Sequence, residues 1–286
     1  MRRGAPLSPV MAIYHKLPDL RIVPAESVVL HEETDPDRTT RLTEILRRDQ
    51  VLKNPPVVAP LPTNGRFVVL DGANRVASLR ALAAASLLVQ VVEYDEVQLD
   101  TWNHLVTGMD EVQLFDTIRT VPGLTLEPAT LRQARNRLAT RRILGYLINP
   151  EGHVYLLRGG EGLRDEARLL NDVVRAYKGM SQIFRLKADS IAELKQYYEG
   201  IAALVVFPSF TPADIINLTL VDAKLPTGIT RHLIPGRALR LNYEISTLMS
   251  DRSLEEQNRK LGEFVHQKLA AREIRFYEES TFLFDE

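Results

Sequence analysis

The residues with the clearest chemical use stand together in RFVVLDGANRVASLRAL (66–82). An apolar strand runs into Asp71-Gly72 and then into a helix carried by Val76, Leu79 and Leu82. Such a turn leaves the first N–H groups of the helix without partners, and the positive end of the helix dipole adds to them. The result suits an anion. Gly72 and Ala73 let a ligand approach the backbone, Asn74 sits in the first turn, and Arg75 offers a bidentate fork to a phosphate. An ordinary strand-to-helix connection, with Asp71 as N-cap and Arg75 in solvent, would use the same residue types. Neither G-x-x-x-x-G-K-[ST] nor G-x-G-x-x-G occurs, so a nucleotide handled here needs another scaffold.

A carboxylate can orient or deprotonate a hydroxyl. HEETDPD (31–37) supplies four acids, beginning with the adjacent pair Glu32 and Glu33, and His31 beside them is a further candidate. Neighbouring strand residues face opposite sides, so only one glutamate of the pair can enter a cleft. The same acids would also complement the positive end of the helix that follows. Thr230, Arg231 and His232 lie between Gly228 and Pro235 in a segment that reads as a loop. There an arginine suits a carboxylate or phosphate and a histidine suits a transferring group, though a charged surface loop has the same composition. Trp102 is the only tryptophan, a residue type usually found packed in a core. His15, His104, His153 and His266 show no metal-ligand spacing, RGGEG (158–162) reads as a turn, and no metal ligands can be named.

The elements that must position these residues are legible in outline. The chain has 286 residues, about two domains by length. Hydrophobic residues make up 45% and charged residues 26%, a balance that builds a packed core rather than a disordered chain. The absence of cysteine excludes disulfides, thiolate-bound zinc and thiol nucleophiles. A formal net charge of -1 excludes a broadly basic chain that coats nucleic acid or anionic lipid. The apolar runs fall short of a bilayer span and the start has no secretory pattern, so a cytoplasmic protein is expected.

An N-terminal arm over 1–19 precedes a first unit over 20–106. In it, ESVVL (26–30) reads as a strand. Asp35-Pro36 starts a helix with Leu42, Ile45 and Leu46 on one face, and PPVVAPL and RFVVL form a hairpin around Pro62-Thr63-Asn64-Gly65. LLVQVVEY (87–94) is a buried strand. A linker over 107–127, with a helix in MDEVQLFDTI, leads to a mixed α/β unit over 128–286. That unit has a basic helix at 128–142, a hairpin at 145–157 and helices at 167–177 and 190–200. Strands follow at 182–188 and 203–208, then a helix capped by Ser253 with Glu256, and a last strand at 274–284.

The order of an HE segment, a helix, NPPVVAPLPTNGRFVVLDGANRVASLRAL (54–82) and VQVVEYD (89–95) resembles the ParB/sulfiredoxin-like fold, an α/β (α+β) class, and within it the free L-serine kinases. These make O-phospho-L-serine for cysteine or siderophore synthesis. Their usual phosphate loop is D-G-x-H-R, and here Asn74 stands where they have histidine. The resemblance is strong over 20–103, and TRH (230–232) is similar to an element late in those kinases. It implies phosphoryl transfer from ATP or ADP to free L-serine with Mg2+, nucleotide phosphates on Asp71, Gly72, Ala73, Asn74 and Arg75, and Glu32 as base. It also implies that His31, Trp102, Thr230, Arg231 and His232 hold the amino acid. The other reading is a ParB-like, nucleotide-switched DNA-binding protein, which needs a helix-turn-helix within 104–142. Sulfiredoxin chemistry needs a cysteine, and the chain has none.

Overall fold

The structure, a computed structural model, describes residues 17–62 and 65–277. Residues 1–16 of the expected arm, the Thr63-Asn64 turn and residues 278–284 of the expected last strand lie outside them.

The first layer is built from β1 (Asp19–Pro24), β2 (Val28–Leu30), α1 (Pro36–Asp49), β3 (Val51–Leu52), β4 (Val57–Pro60), β5 (Phe67–Asp71), α2 (Ala73–Ala81) and β6 (Ser86–Val91). Five of the strands make one mixed sheet in the order β1-β6-β4-β5-β2. β4 and β5 pair antiparallel as the expected hairpin, whereas β2 lies parallel to β5, with Leu30 opposite Val69. That parallel register carries the residues after β2 alongside the Asp71-Gly72 turn. Alternation along β5 divides the core. Val69 joins Val28, Leu46, Val76 and Leu79 on the helix side, while Val68 and Leu70 face the rest of the molecule.

The next elements are β7 (Gln98–Thr101), β8 (Asn103–Thr107), α3 (Glu111–Arg119), β9 (Thr125–Ala129), α4 (Leu131–Ala139), β10 (Gly145–Ile148), β11 (Val154–Arg158), α5 (Leu163–Tyr177), β12 (Gln182–Leu186), β13 (Ile201–Val206) and α6 (Pro212–Leu220). A six-stranded antiparallel sheet runs β12-β8-β13-β10-β11-β9. Here too alternate residues separate: Tyr146, Ile148 and Leu204 pack on the side of α4, while Leu147, Val106 and Val205 share one core with Val68 and Leu70 of the first sheet. The two sheets are therefore joined by continuous apolar packing.

The chain closes with β14 (Thr230–Leu233), β15 (Tyr243–Glu244) and α7 (Leu254–Ala270). β14 pairs with β7 and β15 with β3 as two short ribbons. Tyr243, Ile245, Leu248 and Leu261 then return to the core of the first layer.

Several sequence expectations change. The 107–127 segment is no free linker, because Leu114, Phe115 and Ile118 of α3 are buried and β9 completes the second sheet. β9 also separates α3 from α4, so 104–142 forms no helix-turn-helix. Residues 190–200 make only a 3-10 turn at Leu194–Gln196. Ile191 and Leu194 alone are buried there, too narrow an apolar stripe to hold a longer helix. TRH lies on a strand rather than a loop. Ser253 accepts the Glu256 N–H as expected, but the Glu256 carboxylate turns to Arg252 at 3.4 Å. Residues 274–277, the described part of the expected last strand, are not in a strand.

One buried group gives the fold a pH dependence. His104 on β8 is 1% exposed, and its Nδ1 lies 2.8 Å from the Tyr177 hydroxyl while Nε2 has no partner. Burial, with a smaller contribution from Arg185, lowers its pKa to about 3. The unfolded chain takes up this proton near the ordinary value of about 6.5. The contribution to stability is therefore complete above pH 6.5 and is lost as the pH falls from there toward 3. We expect His104→Phe to flatten the fall of unfolding free energy between pH 6 and 4 by about 1.4 kcal/mol per pH unit. Denaturant titrations of both proteins at several pH values measure this, and parallel slopes would contradict it.

Candidate active site

The turn at residues 71–75 has the expected backbone and an unexpected set of side-chain partners. Gly72 has φ 96° and precedes α2 with no side-chain cap. The first intrahelical bond is Val76 N–H to Gly72 O, so the N–H groups of Ala73, Asn74 and Arg75 have no partners within the helix. Asp71 is not the N-cap. Its carboxylate is paired with Arg75 and, at 2.6 Å, with Arg237. Arg75 also donates to the carbonyls of Asn54 and Pro55 at 2.9 and 3.0 Å, so its guanidinium braces the loop from beneath. A Cβ on Gly72 would stand 2.9 Å from Arg75 Nε. Asn74 faces α1, where its Oδ1 accepts from Asp35 N–H at 3.0 Å and Thr39 Oγ1 at 3.2 Å. The residue that replaces the histidine of the resembled loop thus docks the start of α1 onto it.

Glu32 and Glu33 separate as strand alternation requires. Residues 31–33 are stitched to the segment before β14 by Leu225 N–H to His31 O and Glu33 N–H to Leu225 O, both 2.8 Å, and by Thr227 Oγ1 to Glu33 O at 2.6 Å. Glu33 is exposed. Glu32 is half-buried, and its Oε2 accepts the Gly228 N–H at 2.8 Å, which fixes the carboxylate at the edge of the cleft beside the loop.

Two histidines hold β14 against the first sheet. His31 Nδ1 lies 2.6 Å from the Val69 carbonyl, an acceptor, so Nδ1 carries the proton. Nε2 then accepts from Thr230 Oγ1 at 2.9 Å. His232 repeats the arrangement, bonding to the Leu70 backbone while its Nε2 accepts the Tyr94 O–H at 2.9 Å. The two rings meet edge to face at 5.3 Å. Burial lowers the pKa of His31 and, with the neighbouring His31, takes that of His232 to about 3, so both are neutral near pH 7. Burial also pushes the Tyr94 hydroxyl up.

The TRH strand has two faces. Thr230 and His232 point to His31, whereas Arg231 between them projects the other way and stacks on Trp102, its guanidinium 4.4 Å from the ring centre. The structure thus joins His31, Glu32, Thr230 and His232 to the phosphate loop, and sets Trp102 with Arg231 as a separate pair on the reverse of the ribbon. Sequence reasoning missed Tyr94, Arg237 and Arg185, which converge only through contacts between distant segments. In the basic segment, Arg135 and Arg137 on α4 and Arg141 just beyond it are paired with Asp189, Glu127 and Asp214. Among the described residues no group of three or more His, Asp or Glu is placed to hold a metal, and no helix is long and apolar enough to cross a membrane.

No protein-family model matches the chain. The ATP-dependent L-serine kinase SbnI of Staphylococcus aureus is 25% identical over 271 residues, 93% of this chain and 97% of that protein. An ATP-dependent L-serine kinase of Desulfurococcus mucosus is 27% identical over 241 residues, covering 79% of this chain and 90% of the relative. In fold, a C-terminally truncated SbnI superposes with a TM-score of 0.69 at 23% identity, covering 87% of this chain and 97% of that one. A free serine kinase solved with AMP gives 0.70 at 17% identity, over 82% and 95%. The similarity to ATP-dependent L-serine kinases therefore runs along most of this chain and most of theirs, and the fold is shared with solved free serine kinases.

Proposed function

We propose that this chain is a small-molecule kinase that moves the terminal phosphoryl group of a nucleotide to the hydroxyl of free L-serine, giving O-phospho-L-serine. The observation that carries the reading is the Glu32 carboxylate, fixed through one oxygen by Gly228 N–H beside a glycine turn whose helix N–H groups have no intrahelical partners. The names of the relatives favour ATP as the donor.

Oε2 of Glu32 is occupied by the Gly228 N–H, which leaves Oε1 to accept the proton of the serine hydroxyl. As the serine oxygen forms its bond to the terminal phosphorus, the bond from phosphorus to the bridging oxygen breaks and the nucleoside diphosphate leaves. The N–H groups of residues 73–75 and the dipole of α2 bind the phosphates that remain on the donor. Arg75 acts by holding the loop, and His31 and His232, both neutral, shape the acceptor pocket with Thr230. Arg231 and Trp102, stacked on the reverse of the ribbon, lie outside this pocket. Magnesium would be held chiefly by the nucleotide's own phosphates, because Asp71, the carboxylate at the loop, is already paired with Arg75 and Arg237 and no group of three or more His, Asp or Glu among the described residues is placed to hold a metal. When bound, it would neutralise phosphate charge. We place the reaction in the cytoplasm, where nucleotide and free amino acid are both abundant.

Incubation with L-serine, magnesium and ATP or ADP is expected to yield phosphoserine. Glu32→Gln should lower kcat by about 10²- to 10⁴-fold, the range for loss of a general base. Glu33→Gln, altering an exposed neighbour, should stay near wild type. Absence of phosphoserine with both nucleotides, or full activity of Glu32→Gln, would overturn the reading. Gly72→Ala places a Cβ against Arg75 at a backbone angle that side chains avoid. It should raise the KM for nucleotide about tenfold, as strain of 1–2 kcal/mol implies, and leave the KM for serine unchanged.

A further inference from the structure

Gly228 has a second neighbour besides Glu32. Arg185 projects from β12, the edge strand of the second sheet, and its guanidinium lies against Gly228 closely enough that any Cβ there would collide with it. The backbone that carries Gly228 has φ 73°, so glycine is required on both counts. The same residue therefore donates its N–H to Glu32 on one side and packs on a guanidinium on the other.

That guanidinium is little used by the protein. A guanidinium carries five N–H donors. The hydrogen bond found for Arg185 is a long one, 3.5 Å from Nη2 to the Thr227 carbonyl, and among the described residues no carboxylate lies within ion-pair distance of it. Asp35, the nearby acid on α1, is taken by Lys178 at 3.0 Å. Glu32 and Asp35 act on Arg185 only through space, while partial desolvation and Arg38 hold its pKa below the usual value. Arg75 and Arg231, the two arginines singled out from sequence, are engaged by the loop carbonyls and by Trp102. Arg185 thus combines solvent access with free donors next to Glu32.

We infer that Arg185 binds an oxyanion of the reactants beside Glu32, either the carboxylate of the acceptor amino acid or the terminal phosphoryl oxygens of the donor. The inference rests on the serine-kinase reading for the identity of the reactants and on the Gly228 geometry for the site. Arg185 makes no bond to Glu32 itself, so its effect is on binding and placement rather than on the proton transfer.

The test uses the full chain with Arg185→Gln and Arg185→Lys, each compared with wild type in thermal melting, in initial rates against L-serine and nucleotide, and in titration with inorganic phosphate. Arg185→Gln is expected to lose about ten- to hundredfold in kcat/KM, the worth of a charge-assisted hydrogen bond, and lysine should restore part of it. A rise in KM for serine, with lost preference for L-serine over L-serinamide, assigns the carboxylate. A fall in kcat at saturating serine and nucleotide assigns the phosphoryl oxygens. Arg185→Gln within twofold of an active wild type in every constant overturns the inference and leaves the kinase reading intact. If wild type forms no phosphoserine, that reading fails by itself. The phosphate titration then decides, weaker binding by Arg185→Gln supporting the anion site and equal binding refuting it.

Discussion

The arrangement of the cleft depends on how the segment 225–233 is fastened to the ends of β2 and β5. A parallel pair such as β2 and β5 ends with backbone groups that neither strand can satisfy. Here His31 takes the Val69 carbonyl and His232 takes that of Leu70, each donating from one ring nitrogen and accepting a hydroxyl proton at the other. An imidazole can serve in this way only while neutral, and burial ensures that it is. With the two rings in place, Leu225 and Thr227 close on residues 31–33 and Gly228 comes to rest on the Glu32 carboxylate. The Glu32 carboxylate is thus oriented by an element nearly two hundred residues away.

Charge in the cleft is arranged by the same logic. The loop's own arginine, Arg75, neutralises Asp71 and satisfies two carbonyls, which keeps the turn rigid and leaves the first N–H groups of α2 as its unpartnered donors within the helix. Backbone N–H groups fixed at a helix start need no reorganisation when charge arrives. Asp71 is shared with Arg237 from the strap that crosses the first sheet. That strap is in turn held by Gln90, which donates to Gly236 O at 3.0 Å and accepts from Ala238 N–H at 2.8 Å. The C-terminal third of the chain therefore contacts both Glu32 and Asp71 while its last helix packs on β1.

What was legible in the sequence follows from the range of the interactions involved. The hairpin of β4 and β5, the Asp35-Pro36 start of α1 and the apolar face of α2 are set by neighbours a few residues apart, and each is where its pattern places it. β7 and β14 are short, half-buried and paired across more than a hundred residues, so neither has a periodicity that separates it from a loop. β9 escaped for a related reason: Pro128 falls within it, a residue that local rules assign to turns and that an edge strand tolerates. In the site, Gly72 and its helix start could be read from residue types alone. Glu32 was singled out over Glu33 only through the resemblance, and the geometry adds the physical distinction that one is pinned and the other exposed.

The three consecutive residues Thr230, Arg231 and His232 show how strand geometry divides the work of a short motif. As a loop they would all face one ligand. As a strand paired with β7 they alternate, so that Thr230 and His232 complete the histidine latch while Arg231 lies against Trp102 on the other side. The arginine of the motif is then unable to serve the same surface as its neighbours without breaking the ribbon. The guanidinium that does stand near Glu32 comes from a different strand. Arg185 reaches Gly228 because β12 is an edge strand whose side chains are free to leave the second sheet. The contact between the two sheets, set by apolar packing far from the chemistry, is therefore what determines which guanidinium stands beside Glu32.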